Sequence, residues 1–436
     1  MAKVFVQSFG CRASQADGAA IDAALAESGF ESVTFARDAD LVVLNTCTVT
    51  HSADVDARRI IRGVHREHPN ASILVTGCYA QRAPEEIAAM EGVRWVVGNS
   101  HKASLASIVA EMWHARHEEY HGQIFRTAFE GAIEFKATPV RDVREDRTRP
   151  NLKVQDGCSN RCSFCIIPAV RGRSRSAPLD EVVQQVNDLA SRYAELVLSG
   201  INLGRWGRDL PGRLRFVDLL RAVLDRSAVK RLRVSSVEPM DWSDELIEIV
   251  GSENRIAKHV HLPLQSGSDA VLKRMFRKYR TRHYAARLER VMESIPDAAI
   301  GADVMTGFPG ETDVEFQETI RFIEQQPFTY LHVFTYSERP GTAAASLPGS
   351  VPVAVRRERT NVLRQLSTRK NEQFRRSLVG RRVPAVTLEE RGAALTTNFV
   401  RVQMSRFRDP NELLDLDIDA LSDTGLRERG ALPVLA

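Results

Sequence analysis

Cys158, Cys162 and Cys165 stand in the run Cys-Ser-Asn-Arg-Cys-Ser-Phe-Cys, and three thiols so close together have few structural uses. A loop with this spacing can turn three thiolates toward one metal centre. Structural zinc usually takes a fourth protein ligand. The chain offers no seventh cysteine, and no histidine lies within 30 residues of the run on either side. A four-iron cubane held by three thiolates instead leaves one iron open to a further ligand, and an open iron can bind and reduce a cofactor. A zinc knuckle is the alternative this spacing leaves.

The other cysteines, Cys11, Cys47 and Cys78, are far apart in sequence. Each follows an apolar run that reads as a strand: KVFVQSF (3–9), DLVVLNT (40–46) and SILVTG (72–77). Helical patterns at 14–28 and 52–67 separate them, and VRWVVG (93–98) reads as a fourth strand. Apolar strands joined by helices imply a parallel α/β sheet. Equivalent strand ends lie along one rim, where such sheets bind ligands. Three distant thiols can therefore converge on a second site, with three separate buried thiols as the plainer reading.

A length of 436 residues exceeds what one core usually serves. Residues 114–150 are charged and irregular and read as a linker. Six further strand–helix units follow, with strands beginning LKVQ (152–155), ELVLS (195–199), RLRVS (231–235), KHVHL (258–262), AIGADV (299–304) and YLHVF (330–334). That is a barrel short of the full eight units. A helix is expected over 350–377. The β-rich runs RVPAVTLEE, ALTTNFVRVQMS and ELLDLDI predict a small β domain at the end. The expected class is α/β: an amino-terminal sheet domain (1–113), the linker (114–150), a (βα)6 partial barrel (151–345), a basic connecting helix (346–377) and a terminal β-barrel (378–436).

No opening apolar run resembles a signal peptide, and no stretch of about 18 apolar residues suggests a membrane span. A cytoplasmic enzyme without a membrane partner is the starting expectation, and cysteines there more often bind metal than form disulfides. The net charge is only +4, but it is unevenly placed. Residues 273–282 hold six basic side chains and no acid, residues 356–382 hold ten basic and two acidic ones, and seven acids lie between Asp409 and Glu428. Local basic surfaces attract phosphates; a solvated helix face is the alternative.

A CxxxCxxC loop after a first barrel strand resembles the radical S-adenosylmethionine enzymes, and more closely their methylthiotransferases. QDGCSNRCSFCIIPAVRGRSRS (155–176) is similar to that group's cluster loop. NTCTVT (45–50) and TGCYAQR (76–82) are similar to its amino-terminal motifs. GINLGRWG, RLRVSSVEP, HLPLQSGSD and DVMTGFPGE follow in the expected order, so the resemblance spans almost the whole chain. NTCTVTHSAD (45–54) resembles the branch acting on N6-threonylcarbamoyladenosine at tRNA position 37.

The resemblance implies two [4Fe-4S] clusters. Cys158, Cys162 and Cys165 would hold the one that reduces S-adenosylmethionine to a 5′-deoxyadenosyl radical. Cys11, Cys47 and Cys78 would hold an auxiliary cluster that presents sulfur. A second S-adenosylmethionine would give the methyl group that completes a methylthio group on C2 of adenine. Gly200, Asn202, Ser235, Ser236, Glu238, Gln265 and Asp303, at strand ends over the barrel mouth, are the expected cofactor contacts. His259 and His261 share one face of their strand. Arg171, Arg173 and Arg175, with Lys273, Arg274, Arg277 and Lys278, are expected to form an RNA approach surface.

The terminal domain is similar to the group's TRAM-like RNA-binding barrel. The implied partners are the tRNA anticodon stem-loop, a reducing protein such as flavodoxin or ferredoxin, and an unidentified sulfur donor. Methylthiolation of isopentenyladenosine-37 or of a ribosomal protein aspartate is the alternative within the group. A non-catalytic iron–sulfur RNA-binding protein is the alternative outside it.

Overall fold

The computed structural model describes residues 1–115, 122–129, 135 and 148–430. Six strands open the chain: β1 (Lys3–Ser8), β2 (Glu31–Ser32), β3 (Leu41–Thr46), β4 (Ser72–Gly77), β5 (Val93–Gly98) and β6 (Gln123–Phe125). They form one parallel sheet in the order β2-β1-β3-β4-β5-β6. Every residue of β3 is buried, as a central strand covered on both faces requires. Val42 and Leu44 share a core with Ile61 and Val64 of the helix His51–Glu67. Leu41 and Val43 share the opposite core with Ile21 and Leu25 of the helix Arg12–Glu27. The sequence predicts four of these strands. β2 and β6, two and three residues long, are too short to carry a period. β6 falls within the stretch expected as a linker, most of which lies outside the described residues.

Seven strands follow: β7 (Asn151–Asp156), β8 (Arg175–Ser176), β9 (Glu195–Gly200), β10 (Arg231–Val234), β11 (His259–His261), β12 (Ala299–Thr306) and β13 (Tyr330–Thr335). β7, β9 and β10 pair in parallel, as do β11, β12 and β13. One parallel bridge, Leu232 to Ile256, links the two groups. These are the six expected strands, and they share one large core. Among the described residues β13 pairs only with β12, so the barrel stays open. The short β8 runs antiparallel to the end of β7.

Register places His261 beside Gly301 and Gly301 beside Tyr330. A Cβ on Gly301 would lie 2.2 Å from the Tyr330 ring and 2.7 Å from His261, so glycine lets these rings close over β12.

The helix Val353–Ser377 then leads to β14 (Arg382–Thr387), β15 (Ala393–Thr396), β16 (Arg401–Gln403), β17 (Leu413–Leu421) and β18 (Leu426–Glu428). These close a small barrel in the order β14-β15-β16-β18-β17. ALTTNFVRVQMS, expected as one run, is broken into two strands. Thr396 Oγ1 accepts from the Val400 N–H at 2.9 Å and donates to Asn398 at 2.6 Å, and Phe399 turns with φ 62. This turn covers part of the larger barrel. Phe399 stacks on His259 with centroids 4.5 Å apart, and Arg233 donates to the carbonyls of Thr396 and Thr397 at 3.1 and 3.0 Å. Asp415, Asp417 and Asp419 point outward from β17 between buried Leu416 and Ile418, which puts these acids on the domain's outer side.

The basic stretch 356–382 is partly internal. Arg359 is buried against Glu311 and Asp313, Arg375 donates to the carbonyls of Ser422 and Gly425, and Arg381 pairs with Asp297. Arg357, Arg364 and Arg369 remain exposed.

Glu428 ties the terminal barrel together by accepting from Ser405 and pairing with Arg408. Burial pushes its carboxyl up, but Arg408 and Ser405 outweigh burial and hold it down at about 2, against an ordinary 4.5. A depressed carboxyl stabilises the fold above its unfolded value and loses that contribution as pH falls through the folded one. Comparing wild type with Glu428→Gln by thermal melting across pH should show a wild-type advantage at pH 6. The advantage should shrink between pH 4.5 and about 2.

Candidate functional site: two cysteine trios across a buried ionic junction

Cys11 follows β1 as the cap residue of the helix Arg12–Glu27, Cys47 directly follows β3, and Cys78 opens the helix Cys78–Arg82 after β4. Parallel strands thus deliver all three to one rim. Burial pushes the Cys47 thiol up to about 12, and the charges of Cys78 and Cys11 add to this, while the Val49 backbone opposes it. The mutual effect marks the three as neighbours. Gly10 has φ +101, and a Cβ there would stand 2.7 Å from Cys47 Cβ and 3.1 Å from its sulfur. Space beside Cys47 is therefore kept open. Asn99 Nδ2 lies 3.5 Å from Cys78 Sγ, placed to donate to it.

Cys158, Cys162 and Cys165 occupy the loop after β7. The Cys158 N–H donates to the Gly172 carbonyl at 3.0 Å, and the Cys165 N–H to the Cys162 carbonyl at 3.1 Å. Burial drives the Cys165 thiol up to about 12, with Cys162 and Cys158 adding to it against the Ile167 backbone and Arg277. The Asn160 N–H and Asn202 Nδ2 face Cys158 Sγ at 3.4 and 3.5 Å. Arg277 Nη1 donates to Cys162 Sγ at 3.1 Å. All six cysteines are free thiols. N–H donors face Cys158 and Cys162 in one trio and Cys78 in the other, the kind of contact that tunes metal-bound sulfur.

Between the trios lies a buried ionic junction. Asp17, on the helix after Cys11, pairs with Lys102 and Arg171, each at 2.9 Å, and with Lys153. Asp156, two residues before Cys158, pairs with Arg171 at 2.8 Å, Arg175 at 3.1 Å and Lys153 at 3.2 Å. Burial pushes the Asp17 carboxyl up, but Lys102, Lys153 and Arg171 outweigh it and hold it well below the usual range. Ile166 and Val170 pack on Cys78, and Asn99 donates to the Val170 carbonyl at 2.8 Å. The two cysteine loops are thus parts of one packed unit. A second tie lies at Asp54, paired with Arg339 at 2.6 Å and Arg82 at 3.0 Å.

The predicted cofactor contacts separate into two places. Asn202 reaches Cys158, and its Oδ1 is buried without a partner among the described residues, a free acceptor beside the sulfur. Its N–H is fixed by Gln155 at 2.7 Å, which also packs against Gly200. Ser235 directly follows β10 and is half-buried. Glu238 is held by Arg277, and Gln265 joins Asp303 through its backbone N–H at 2.7 Å. Ser236 and Asp303 face the barrel interior. Ser236 Oγ bonds His261 Nδ1 at 2.7 Å, and Asp303 lies 3.6 Å from His261 and 3.3 Å from His332. Burial pulls His261 down to about 4 against the pull of Asp303, so it is neutral at pH 7.

The expected RNA surface needs correction. Arg171 and Arg277 are buried and spent on internal partners, Arg175 is held by Asp156, and Arg274 by Glu315. Arg173, Lys273 and Lys278 remain exposed. The sequence reading missed Asp17, Lys102, Lys153 and Asp156. The one signal was Lys153 and Gln155 alternating with apolar Leu152 and Val154 on β7, which marks a polar face inside the barrel.

Residues 3–98 match the family described as "Uncharacterized protein family UPF0004", and residues 152–323 match the Radical SAM superfamily. The chain is 35% identical to the threonylcarbamoyladenosine tRNA methylthiotransferase MtaB of Aquifex aeolicus, over 94% of this chain and 99% of that one. It is 39% identical to the protein of the same name from Bacillus subtilis, over 86% and 82%. Among solved structures, the radical S-adenosylmethionine methyltransferase TsrM of Kitasatospora setae, with cobalamin and a [4Fe-4S] cluster bound, shares the fold. Its TM-score is 0.56 at 16% identity, covering 79% of this chain and 76% of that one.

Removing Arg171 would leave two buried carboxylates short of a partner. Arg171→Met should therefore cost about 3–5 kcal/mol in urea unfolding. Arg171→Lys, which keeps the charge but not the fork, should fall between.

Proposed function

The chain belongs to the radical S-adenosylmethionine methylthiotransferases, and we propose that its two cysteine trios divide the work of placing a methylthio group on C2 of N6-threonylcarbamoyladenosine at position 37 of tRNA. The observation that carries this division is the pair of trios on opposite sides of the Asp17–Arg171–Asp156 junction. A site that only reduced a cofactor would need one trio. S-Adenosylmethionine and an iron–sulfur cluster go with the radical SAM domain; the second cluster, on Cys11, Cys47 and Cys78, is part of this proposal. The bound groups supply one-electron cleavage of S-adenosylmethionine at Cys158, Cys162 and Cys165, and sulfur delivery at the other trio.

The protein's own side chains prepare both places. Asn202 Oδ1, buried and unpartnered among the described residues, accepts from the amino group of the cofactor's methionine end. Gly200, without a side chain, makes room for Gln155, whose Oε1 accepts from the Asn202 N–H and so sets Asn202 beside Cys158. Ser235, Glu238 and Gln265 line the mouth, with Glu238 anchored by Arg277. Asp303 and Ser236, deeper and bound to His261, form the polar floor. Arg277 and Asn99 donate to cluster thiolates, and such donors stabilise the more negative, reduced state.

Adenine C2 carries an unactivated C–H bond, which suits radical abstraction next to a sulfur source. The terminal barrel and the exposed Arg357, Arg364 and Arg369 contribute shape and phosphate contacts to the tRNA. Among the described residues no helix is long and apolar enough to cross a membrane; the cytoplasm as the place of work on tRNA is part of this proposal.

Anaerobic reconstitution should load about eight irons, and about four once Cys158, Cys162 and Cys165 are all alanine. Cys158→Ala should abolish reductive cleavage of S-adenosylmethionine. Cys47→Ala should keep part of that cleavage yet form no methylthiolated nucleoside. Quantifying 5′-deoxyadenosine and modified nucleoside in one reaction decides it, and normal product yield from Cys47→Ala would sink the division. Nucleoside mass analysis of tRNA from a strain lacking the gene, and again after its restoration, tests the substrate. The methylthio form of threonylcarbamoyladenosine should vanish and return.

A further inference from the structure

The loop that carries Cys158, Cys162 and Cys165 has two unlike sides. On one, Ile166 and Val170 are packed against Cys78, so that side faces the amino-terminal sheet. On the other, Cys162 Sγ accepts from Arg277 at 3.1 Å. Arg277 is backed by the Tyr279 hydroxyl at 3.1 Å and by Glu238. Outside these groups lies a small open recess of about 30 Å³ whose walls include Cys162, Arg161, Met240, Phe276, Arg277 and Lys278.

Two of these residues are out of place for a solvated rim. Phe276 is 57% exposed and Met240 54%. Phe276 also has φ 58, in the left-handed region that a bulky side chain rarely enters. Its conformation is set by helix termination: the Phe276 N–H on the Lys273 carbonyl at 3.0 Å and the Arg277 N–H on the Leu272 carbonyl at 2.9 Å end the helix Asp269–Arg274 on a left-handed residue. Glycine usually fills this place, and here an aromatic ring stands there exposed. Around the two apolar side chains stand exposed Arg161, Lys273 and Lys278. The acids nearby are already engaged, Glu238 by Arg277 and Asp241 by Arg205 and Arg208.

We propose that this face, centred on Phe276 and Met240, docks an acidic one-electron carrier protein and that the electron enters through the Cys162–Arg277 edge. The inference rests on the reading of the 158–165 loop as a reducing-cluster loop. A small apolar centre ringed by cations matches the weak, charge-steered contacts of redox partners. Position favours a carrier over RNA. A base seated here would be separated by the cysteine loop from Cys78 and the sulfur-delivering trio, whereas an electron has only to reach Cys162. In the step itself the carrier's reduced flavin or iron–sulfur centre loses one electron and the cluster gains it. No bond or proton moves.

Reduced flavodoxin serves as the probe, with Phe276→Gly and Lys278→Glu as variants of the reconstituted enzyme. Phe276→Gly removes the ring and suits the left-handed backbone, so the fold is spared. Calorimetric affinity for flavodoxin should drop about tenfold in each variant, and Lys278→Glu should also flatten its dependence on salt. Cleavage of S-adenosylmethionine driven by flavodoxin should fall in step. Cleavage driven by dithionite, iron content and tRNA affinity should stay at the wild-type level. Unchanged flavodoxin affinity would overturn the proposal, as would a loss of tRNA affinity with flavodoxin-driven cleavage intact, which would make the face an RNA surface. If wild type loaded with iron fails to cleave the cofactor even with dithionite, the reading of the loop itself fails, separately from the docking face.

Discussion

Two carboxylates and four cations buried between the amino-terminal sheet and the barrel fix how the two cysteine loops face each other. Asp17 and Asp156 are matched by Lys102, Lys153, Arg171 and Arg175, which leaves two positive charges in excess. Excess charge is costly in a poorly solvated interior. Burial works against the Arg171 guanidinium, but Cys78, Asp156, Asp17 and Cys11 together favour its charged form well beyond the ordinary value. Arg171 thus couples the two carboxylates to the sulfur side of the junction.

The same arrangement explains why the barrel is left open. The helix Arg12–Glu27 rests against β7, and Asn151 on that strand donates to the Arg12 carbonyl at 2.6 Å. The amino-terminal sheet thus covers the side where further strands would close a complete barrel. Beside this contact, where Leu388, Glu389 and Glu390 share a pocket with Arg12 and Asn151, Phe399 and Arg233 bring in the terminal domain. A domain that reads from sequence as an RNA-binding appendage also covers barrel surface.

Much of the architecture was legible because strands buried on both faces leave continuous apolar runs, and β3, β4 and β5 sit where the runs place them. The cysteine positions were legible because each follows such a run. What the sequence hid was side-chain pairing over long separations. Arg171 and Arg277 looked like surface cations by their neighbours in the chain, yet both are drawn inside by carboxylates and sulfurs far away. Phe399 hid for a similar reason: a turn with φ 62 leaves no mark in an otherwise β-rich run.

Asp17 meets its partners across 85, 136 and 154 positions of chain, at Lys102, Lys153 and Arg171. At a synthesis rate of about 5–20 residues per second, Arg171 follows Asp17 by about 8–30 s. During that interval a nascent amino-terminal sheet holds three thiols at a rim not yet roofed by Ile166 and Val170, and a carboxylate answered first by Lys102 and then by Lys153. Translation order thereby decides when this charge cluster is completed. The trio of Cys11, Cys47 and Cys78 is made first, yet its permanent electrostatic setting arrives with the helix that follows the other trio.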